Sequence, residues 1–141
     1  MDRRVEKYFP LVLRKVEEVF REEINGKGIP SAYKGYISTF GSMVIQNGIL
    51  PALAYYEKED SNEKIQNGRK KIIKVIKEFL KDQNEIGKDA NGLLVETVIK
   101  KVSKKGSVDK DELRRLEGKI IDISIALKLS LRTFLEVKEG N

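Results

Sequence analysis

Residues 29–58 read IPSAYKGYISTFGSMVIQNGILPALAYYEK, and the fold is best predicted outward from this stretch. Its first half carries an apolar stripe at helical spacing, made of Tyr33, Ile37, Phe40 and Val44. Asn47-Gly48 then interrupts the stripe, and Pro51 suits the first turn of a second helix. We therefore expect two helices, the first with Pro30 in its opening turn and its end at about Gln46.

Gly48 is expected to end the first helix. A glycine adopts the left-handed backbone conformation that commonly follows a helix, and Val44 and Ile49 would then form the hydrophobic pair of a Schellman motif. The polar side chains of the turn, Gln46 and Asn47, have two interpretations. They belong either to this cap alone or to a contact with a partner.

A second stripe of the same helix carries only small residues, namely Ser31, Gly35, Ser38 and Ser42. Another helix can approach such a stripe closely. Gly35 and Gly41 each weaken a helix by about 1 kcal/mol relative to alanine, and a close contact is the expected compensation. That contact would be made either with another helix of the chain or with a neighbouring subunit.

Apolar periodicity predicts helices in the rest of the chain. They cover residues 2–24 with a kink or a short first segment at Pro10, a segment from 62 or 69 to 82, residues 92–104 capped by Asp89 or Asn91, and a last helix capped by Ser107 or Asp109. Residues 57–66 are polar and are expected to form a surface loop. The predicted fold is all-α, a compact bundle of about six helices that forms one domain over residues 1–141.

The last predicted helix contains an ambiguous segment, residues 119–131. Its isoleucines and leucines alternate strictly, as in a strand, but they also continue in both directions at helical spacing. We predict a helix, because no other strand is available to pair. A helix that is apolar on more than one face is either central to the fold or shared with another subunit.

The absence of cysteine and histidine from the sequence excludes several kinds of functional site. It excludes disulfides, zinc sites built on thiolate or imidazole, and nucleophiles activated by histidine. We expect no catalytic residues, no metal, no cofactor and no small-molecule substrate. A metal-dependent nuclease would require Asp109, Asp111 and another carboxylate to converge in a cleft. No apolar run is long enough to span a membrane, and the chain is expected in the cytoplasm.

Positive charge is concentrated in residues 64–105, which hold 12 Lys and Arg against 5 Asp and Glu; the whole chain has a net charge of +6. Within the fourth predicted helix, lysines recur on the face opposite the apolar one: Lys70, Lys74, Lys77 and Lys81, with Arg69 and Lys71 beside them. We call the five lysines the lysine ridge. It is either a solvated face or a surface for the phosphates of a nucleic acid.

A second basic cluster ends the next predicted helix, at Lys100, Lys101, Lys104 and Lys105. Cations in the last turn of a helix complement its dipole, which explains some of them. Four lysines exceed what that effect needs, so the cluster is a second candidate for phosphate binding.

The central stretch resembles a known family. An aromatic helix with Tyr33 and Tyr36, the turn Ile45-Gln46-Asn47-Gly48-Ile49 and the segment Ala52-Leu53-Ala54-Tyr55-Tyr56 are similar to the small helical subunit of the type III-B CRISPR RNA-silencing complex, the Cmr complex. The similarity covers residues 33–58. Two features depart from the family pattern: Gly41-Ser42-Met43 precedes the turn, and Pro51 follows it.

The resemblance implies a non-catalytic subunit of an antiviral ribonucleoprotein. Its expected partners are other Cmr subunits, further copies of itself, CRISPR RNA and target RNA, with basic residues facing the RNA. The alternative is a protein–protein adaptor that does not touch RNA. The candidate contact residues for other subunits are Gly35, Ser38, Ser42, Gln46 and Asn47.

Overall fold

Seven α-helices make up most of the computed structural model, which describes residues 3–137. Four short strands join them in two pairs, β1 parallel to β4 and β2 antiparallel to β3. In chain order the elements are α1 (Arg3–Val19), α2 (Arg21–Asn25), β1 (Ile29–Pro30), α3 (Ala32–Asn47), α4 (Ile49–Glu57), α5 (Glu63–Asp82), α6 (Leu94–Val102), β2 (Ser103–Lys104), β3 (Ser107–Val108), α7 (Lys110–Thr133) and β4 (Leu135–Val137). The prediction of an all-α fold is confirmed.

Helix α7 is the centre of the bundle. It packs most extensively on α1 and then on α3, and it also contacts α5 and α6. Its fully buried apolar side chains include Leu116, Ile120, Ile123, Leu127 and Leu131. The segment 119–131 is therefore helical as predicted, and its several apolar faces are explained mainly by neighbours within the chain.

The N-terminal third departs from the predicted helix boundaries. The helix expected over residues 2–24 ends at Val19, and α2 follows after Phe20, whose buried ring packs edge-on against Tyr33. Pro10 lies inside α1, which continues through it. The prediction that Pro30 lies in the first turn of α3 is wrong. Pro30 belongs to β1, which pairs with β4.

The turn between α3 and α4 is a simpler helix stop than the predicted Schellman motif. Gly48 has a φ of +92°, and its N–H donates to the carbonyl oxygen of Val44 at 2.9 Å. The N–H of Ile49 does not return to α3. It donates to a carboxylate oxygen of Glu117 on α7 at 2.9 Å. A distant carboxylate thus caps the first turn of α4.

Helix α6 is capped in the same way, so both predicted caps, Asp89 and Asn91, are wrong. The two carboxylate oxygens of Glu57 accept hydrogen bonds from the N–H groups of Leu94 at 2.7 Å and Val95 at 2.8 Å. Glu57 ends α4 and does not belong to a surface loop as predicted. One carboxylate therefore connects α4 to the start of α6.

The close glycine contact lies on α5 and not on α3. A Cβ added at Gly35 or Gly41 would meet nothing within 4 Å, so the predicted helix approach at this stripe does not occur within the described chain. Gly68 is buried, and a Cβ there would come within 3.0 Å of three ring carbons of Tyr36. At the same place the hydroxyl of Tyr56 donates to the carbonyl oxygen of Tyr36 at 2.5 Å, and burial raises the pKa of Tyr56 to about 12. Helices α3, α4 and α5 meet here.

We expect Gly68→Ala to destabilise the protein by about 1–3 kcal/mol, because the new methyl group overlaps the Tyr36 ring in a packed interior. Urea unfolding followed by circular dichroism measures the change. Gly35→Ala is the matched control, since it adds the same methyl group to a helical position with open space, and should stabilise by up to about 1 kcal/mol. Equal effects of the two substitutions would contradict the proposed contact.

Candidate nucleic-acid interface

The lysine ridge follows from the way α5 is positioned. Asn62 caps the helix by accepting a hydrogen bond from the N–H of Ile65 at 3.2 Å. The opposite face of α5 is fully buried, including Ile72, Ile76 and Phe79. Because residues three and four apart share one side of a helix, this packing turns the lysines of the ridge outward. The apolar stripe therefore decides where the charges lie.

The outward lysines of the ridge differ in their contacts. Lys70 and Lys74 are exposed, and neither forms an ion pair within residues 3–137. Lys77 is half-buried and donates to the carbonyl oxygen of Gly92 at 2.7 Å. Lys81 pairs with Glu78 at 3.1 Å, one turn away on the same helix. Lys70 and Lys74 are thus the most available cations of the ridge.

Lys71 is separated from the others by its contacts. Its ammonium group pairs with the Glu23 carboxylate and lies 4.9 Å from the centre of the Phe20 ring. These contacts connect α5 to the α1–α2 junction. Lys71 therefore has a structural role in the chain that sequence reasoning did not predict.

The sequence did not predict a group of aromatic and cationic side chains that lies next to the lysine ridge. The guanidinium of Arg69 pairs with Asp60 at 3.2 Å and lies 4.7 Å from the centre of the Tyr55 ring. The ammonium of Lys58 lies 4.3 Å from the same ring centre. The repeated tyrosines near the end of α4 were the available signal. Their contact with Arg69 depends on how α4 packs against α5.

A cleft of about 380 Å³ opens beside the ridge, between α5 and the start of α6. Its lining combines lysines, two glutamates and apolar surface: Glu57, Lys70, Ile73, Lys74, Lys77, Glu78, Gly92 and Leu93. Burial raises the pKa of Glu57, and the hydrogen bonds from Val95 and Leu94 act in the opposite direction. We call this space the ridge cleft.

The second basic cluster is split between two elements. Lys100 and Lys101 lie in the last turn of α6, but Lys104 and Lys105 belong to the β2–β3 hairpin and not to a helix as predicted. Lys105 has a φ of +51° and Gly106 a φ of +81°, as expected for a two-residue hairpin turn. Lys104 pairs with Asp109 at 3.1 Å, whereas Lys100 and Lys105 form no ion pair in the described part of the chain.

Lys101 takes part in an ion cluster around Glu85. The Glu85 carboxylate pairs with Arg115 at 2.7 Å, Lys119 at 2.8 Å and Lys101 at 3.3 Å. Hydrogen bonds from Arg115 and Lys119 hold the pKa of Glu85 well below its usual range, although burial acts in the opposite direction. The cluster joins the segment after α5 to α6 and α7.

The small-residue stripe borders an open groove between α3 and α7. Ser38, Gly41 and Ser42 line this groove of about 250 Å³ together with Ile45 and Ile125. Ile45 is 72% exposed and Ile125 is 45% exposed, so both sides of the groove carry apolar surface. Gly35, Gln46 and Asn47 are exposed on the same helix. Of the candidate contact residues, Gly35, Ser38, Ser42 and Gln46 thus lie on one side of α3, and Asn47, its last residue, lies on another.

The acidic side chains of residues 3–137 form no group of three that could hold a metal ion. Asp109 instead caps α7, with its carboxylate accepting from the N–H of Glu112 at 3.1 Å. Across the same residues, no helix is long and apolar enough to cross a membrane.

Comparison with protein families gives a match to the model of the CRISPR-associated protein family Cas_Cmr5, over residues 5–117. The chain belongs to this family. The match confirms the resemblance drawn from residues 33–58, and the protein is a Cas_Cmr5-type subunit of the type III-B CRISPR complex. Neither the comparison with curated proteins nor that with solved structures gives a match.

Membership of this family has two direct consequences for the protein. It is a small structural subunit, and it associates with other components of the Cmr complex. The matched region contains both the lysine ridge and the α3–α4 turn.

We expect the stability of the protein to depend on pH through Glu85. Its pKa is lowered on folding, so its stabilising effect is present above the unfolded-state pKa of about 4.3 and is lost as the pH falls below it. Glu85→Gln should lower the free energy of unfolding by about 1–3 kcal/mol at pH 7. It should also flatten the decrease in the free energy of unfolding as the pH falls from about 5 to about 2.

Urea unfolding across this pH range measures both effects. Glu59→Gln removes the same charge from an exposed side chain and provides the control. If both variants reproduce the pH dependence of the original chain, the Glu85 cluster does not stabilise the fold.

Proposed function

We propose that this subunit holds the RNA of the Cmr complex through the lysine ridge and does no chemistry itself. Several copies would stack along the complex in the cytoplasm and line the channel in which CRISPR RNA pairs with target RNA. The observation that carries the proposal is the pair Lys70 and Lys74, two exposed cations on one helix face without carboxylate partners in residues 3–137. An anion from outside the chain could pair with both ammonium groups.

The chemistry of lysine favours contacts to the RNA backbone. An ammonium group is a point charge with three donors, and it suits phosphate oxygens and 2′-hydroxyls without reading a base sequence. A structural subunit that accepts many guide sequences needs this lack of selectivity.

The remaining predicted lysines support the proposal to different degrees. Lys77 and Lys81 lie on the same face of α5, each with one partner, and Lys100 and Lys105 extend the basic surface around α6 and the hairpin. Lys104 has one exposed ion pair, which contributes little stability and can be exchanged for a phosphate contact. Lys71 and Lys101 are the weakest candidates, because buried or clustered carboxylates hold them.

Replacing Lys70 and Lys74 together by glutamine should weaken binding of target RNA by the assembled complex. Because each phosphate contact releases counterions, the slope of log K against log salt should decrease by about 0.7 for each lysine lost per copy. Fluorescence anisotropy at several salt concentrations measures this slope.

Lys7 and Lys27, two exposed cations outside the ridge, provide a control with the same change of charge. Lys71→Gln should lower the free energy of unfolding and leave the salt slope close to that of the original chain. An unchanged salt slope in the Lys70 and Lys74 variant would contradict the proposed RNA contact.

A second role, contact with neighbouring subunits, rests on the outer face of α3. Gly35, Ser38 and Ser42 leave this face low enough for another helix to approach, and the strongly exposed Ile45 supplies apolar surface for it to cover. Gln46 and Asn47 would add hydrogen bonds at the end of the helix. Such a contact is compatible with RNA binding, because the ridge lies on a different helix.

Ser42→Trp should prevent incorporation of the subunit into the complex while the isolated chain stays folded. The side chain of Ser42 is exposed, so the added bulk does not disturb the core. Co-purification of the complex and thermal unfolding of the isolated chain measure the two effects. Asn25→Trp, on exposed surface at the end of α2, is the control. Normal assembly of the Ser42 variant would exclude this face from the interface.

A further inference from the structure

The ridge cleft has a composition that phosphate binding alone does not require. Lys70, Lys74 and Lys77 form its cationic side, while Leu93 gives it most of its apolar surface and Ile73, which is 3% exposed, adds only an edge. Leu93 is 42% exposed, although it directly precedes the buried Leu94. A leucine held at the surface beside three lysines suits a ligand that has both an anionic and an apolar part.

The walls of the cleft are fixed by contacts that cross between helices. The Lys77 ammonium donates to the carbonyl oxygen of Gly92 at 2.7 Å, which connects α5 to the segment before α6. Glu57 holds the first two N–H groups of α6 at 2.7 and 2.8 Å. The cleft is therefore formed before a ligand arrives, and binding pays little for ordering it.

The size and charge of the cleft limit the ligand. A volume of about 380 Å³ lies near the lower end of the range for small-molecule sites, so it holds one compact group and not a folded segment. Glu57 and Glu78 also line the cleft, and they would repel the carboxylate of an acidic peptide from its interior. A neutral, flat, apolar group meets no such repulsion. The lysines at the rim remain available to anions attached to it.

We propose that the ridge cleft takes the base of one unpaired RNA nucleotide while Lys70 and Lys74 hold the adjacent phosphates. The base would contact Leu93 and the exposed edge of Ile73, and the amino group of an adenine, cytosine or guanine can donate to the second lone pair of the Gly92 carbonyl oxygen. An unpaired base requires little unstacking to enter a pocket, whereas a base within a duplex would first have to be extruded. This inference rests on the proposed RNA-binding function.

The test compares two RNA duplexes that differ in a single unpaired nucleotide, which carries a base in one and is abasic in the other. Fluorescence anisotropy with the full chain should show about five-fold tighter binding of the RNA with the base, since removing about 40 Å² of apolar surface from water accounts for about that factor. Leu93→Asn should remove most of this preference and leave the salt slope unchanged. Leu93→Met, which keeps an apolar side chain, should retain it.

Ile99→Asn is the matched control, because Ile99 is 44% exposed on α6 but does not line the cleft. It should leave the preference for the base intact, and thermal unfolding should show that both asparagine variants stay folded. Such a result supports the assignment of the base to Leu93 and not to α6 in general.

Three outcomes would overturn the proposal. Equal binding of the two RNAs, with a salt slope that still depends on Lys70 and Lys74, excludes the base site but leaves the RNA-binding function in place. Loss of that dependence as well excludes both. If Leu93→Asn leaves RNA binding unchanged but prevents assembly of the Cmr complex, the cleft takes a protein segment instead of a nucleotide.

Discussion

Helices α4 and α6 begin without a capping side chain of their own, and each depends on a carboxylate from elsewhere in the chain. Gly48 precedes α4 and Leu93 precedes α6, and neither has a side-chain oxygen to accept the first free N–H groups. Glu117 and Glu57 supply these acceptors. Local secondary structure and tertiary packing are therefore coupled, because α4 and α6 are completed only when α7 and α4 are in place.

This coupling explains which parts of the fold the sequence could predict. The apolar stripes of α3, α5 and α7 identified their buried faces, and of the two predicted caps of α7, Ser107 and Asp109, the second is the actual one. The start of α6 was misassigned, because its cap lies 37 residues away along the chain and carries no local signal. The close helix contact at a glycine was predicted on α3 and lies on α5 for a related reason. Only the structure shows that the Tyr36 ring lies over Gly68.

The sequence predicted the basic region as a whole, but it did not predict which of its lysines form ion pairs within the chain. Lys71 and Lys101 are adjacent in sequence to exposed lysines, yet Lys71 pairs with Glu23 on α2, and Lys101 pairs with carboxylates of α7 and of the segment after α5. A spacing rule places a side chain on a face of its own helix and says nothing about what lies opposite. Fewer lysines are therefore available to a ligand than the excess of positive charge over residues 64–105 suggests.

The ridge and the cleft also place different demands on α5. Its inner face must stay packed to fix the positions of the lysines, while its outer face must keep like charges close together. Like charges at this spacing repel one another. Lys77 donates to the carbonyl oxygen of Gly92, and Glu57 and Glu78 line the same cleft, which offsets part of this repulsion. Buried contacts of Ile72, Ile76 and Phe79 hold the helix in place despite this repulsion.

The extensive packing of α1 on α7 has a consequence for how the chain folds during synthesis. The two helices are separated by most of the sequence, so the buried side of α1, with Val5, Val12 and Val16, has its main neighbour only after α7 has left the ribosome. Contacts between such distant segments slow folding and leave apolar surface uncovered in the nascent chain. Early release of an incomplete chain would therefore yield a fragment prone to aggregation.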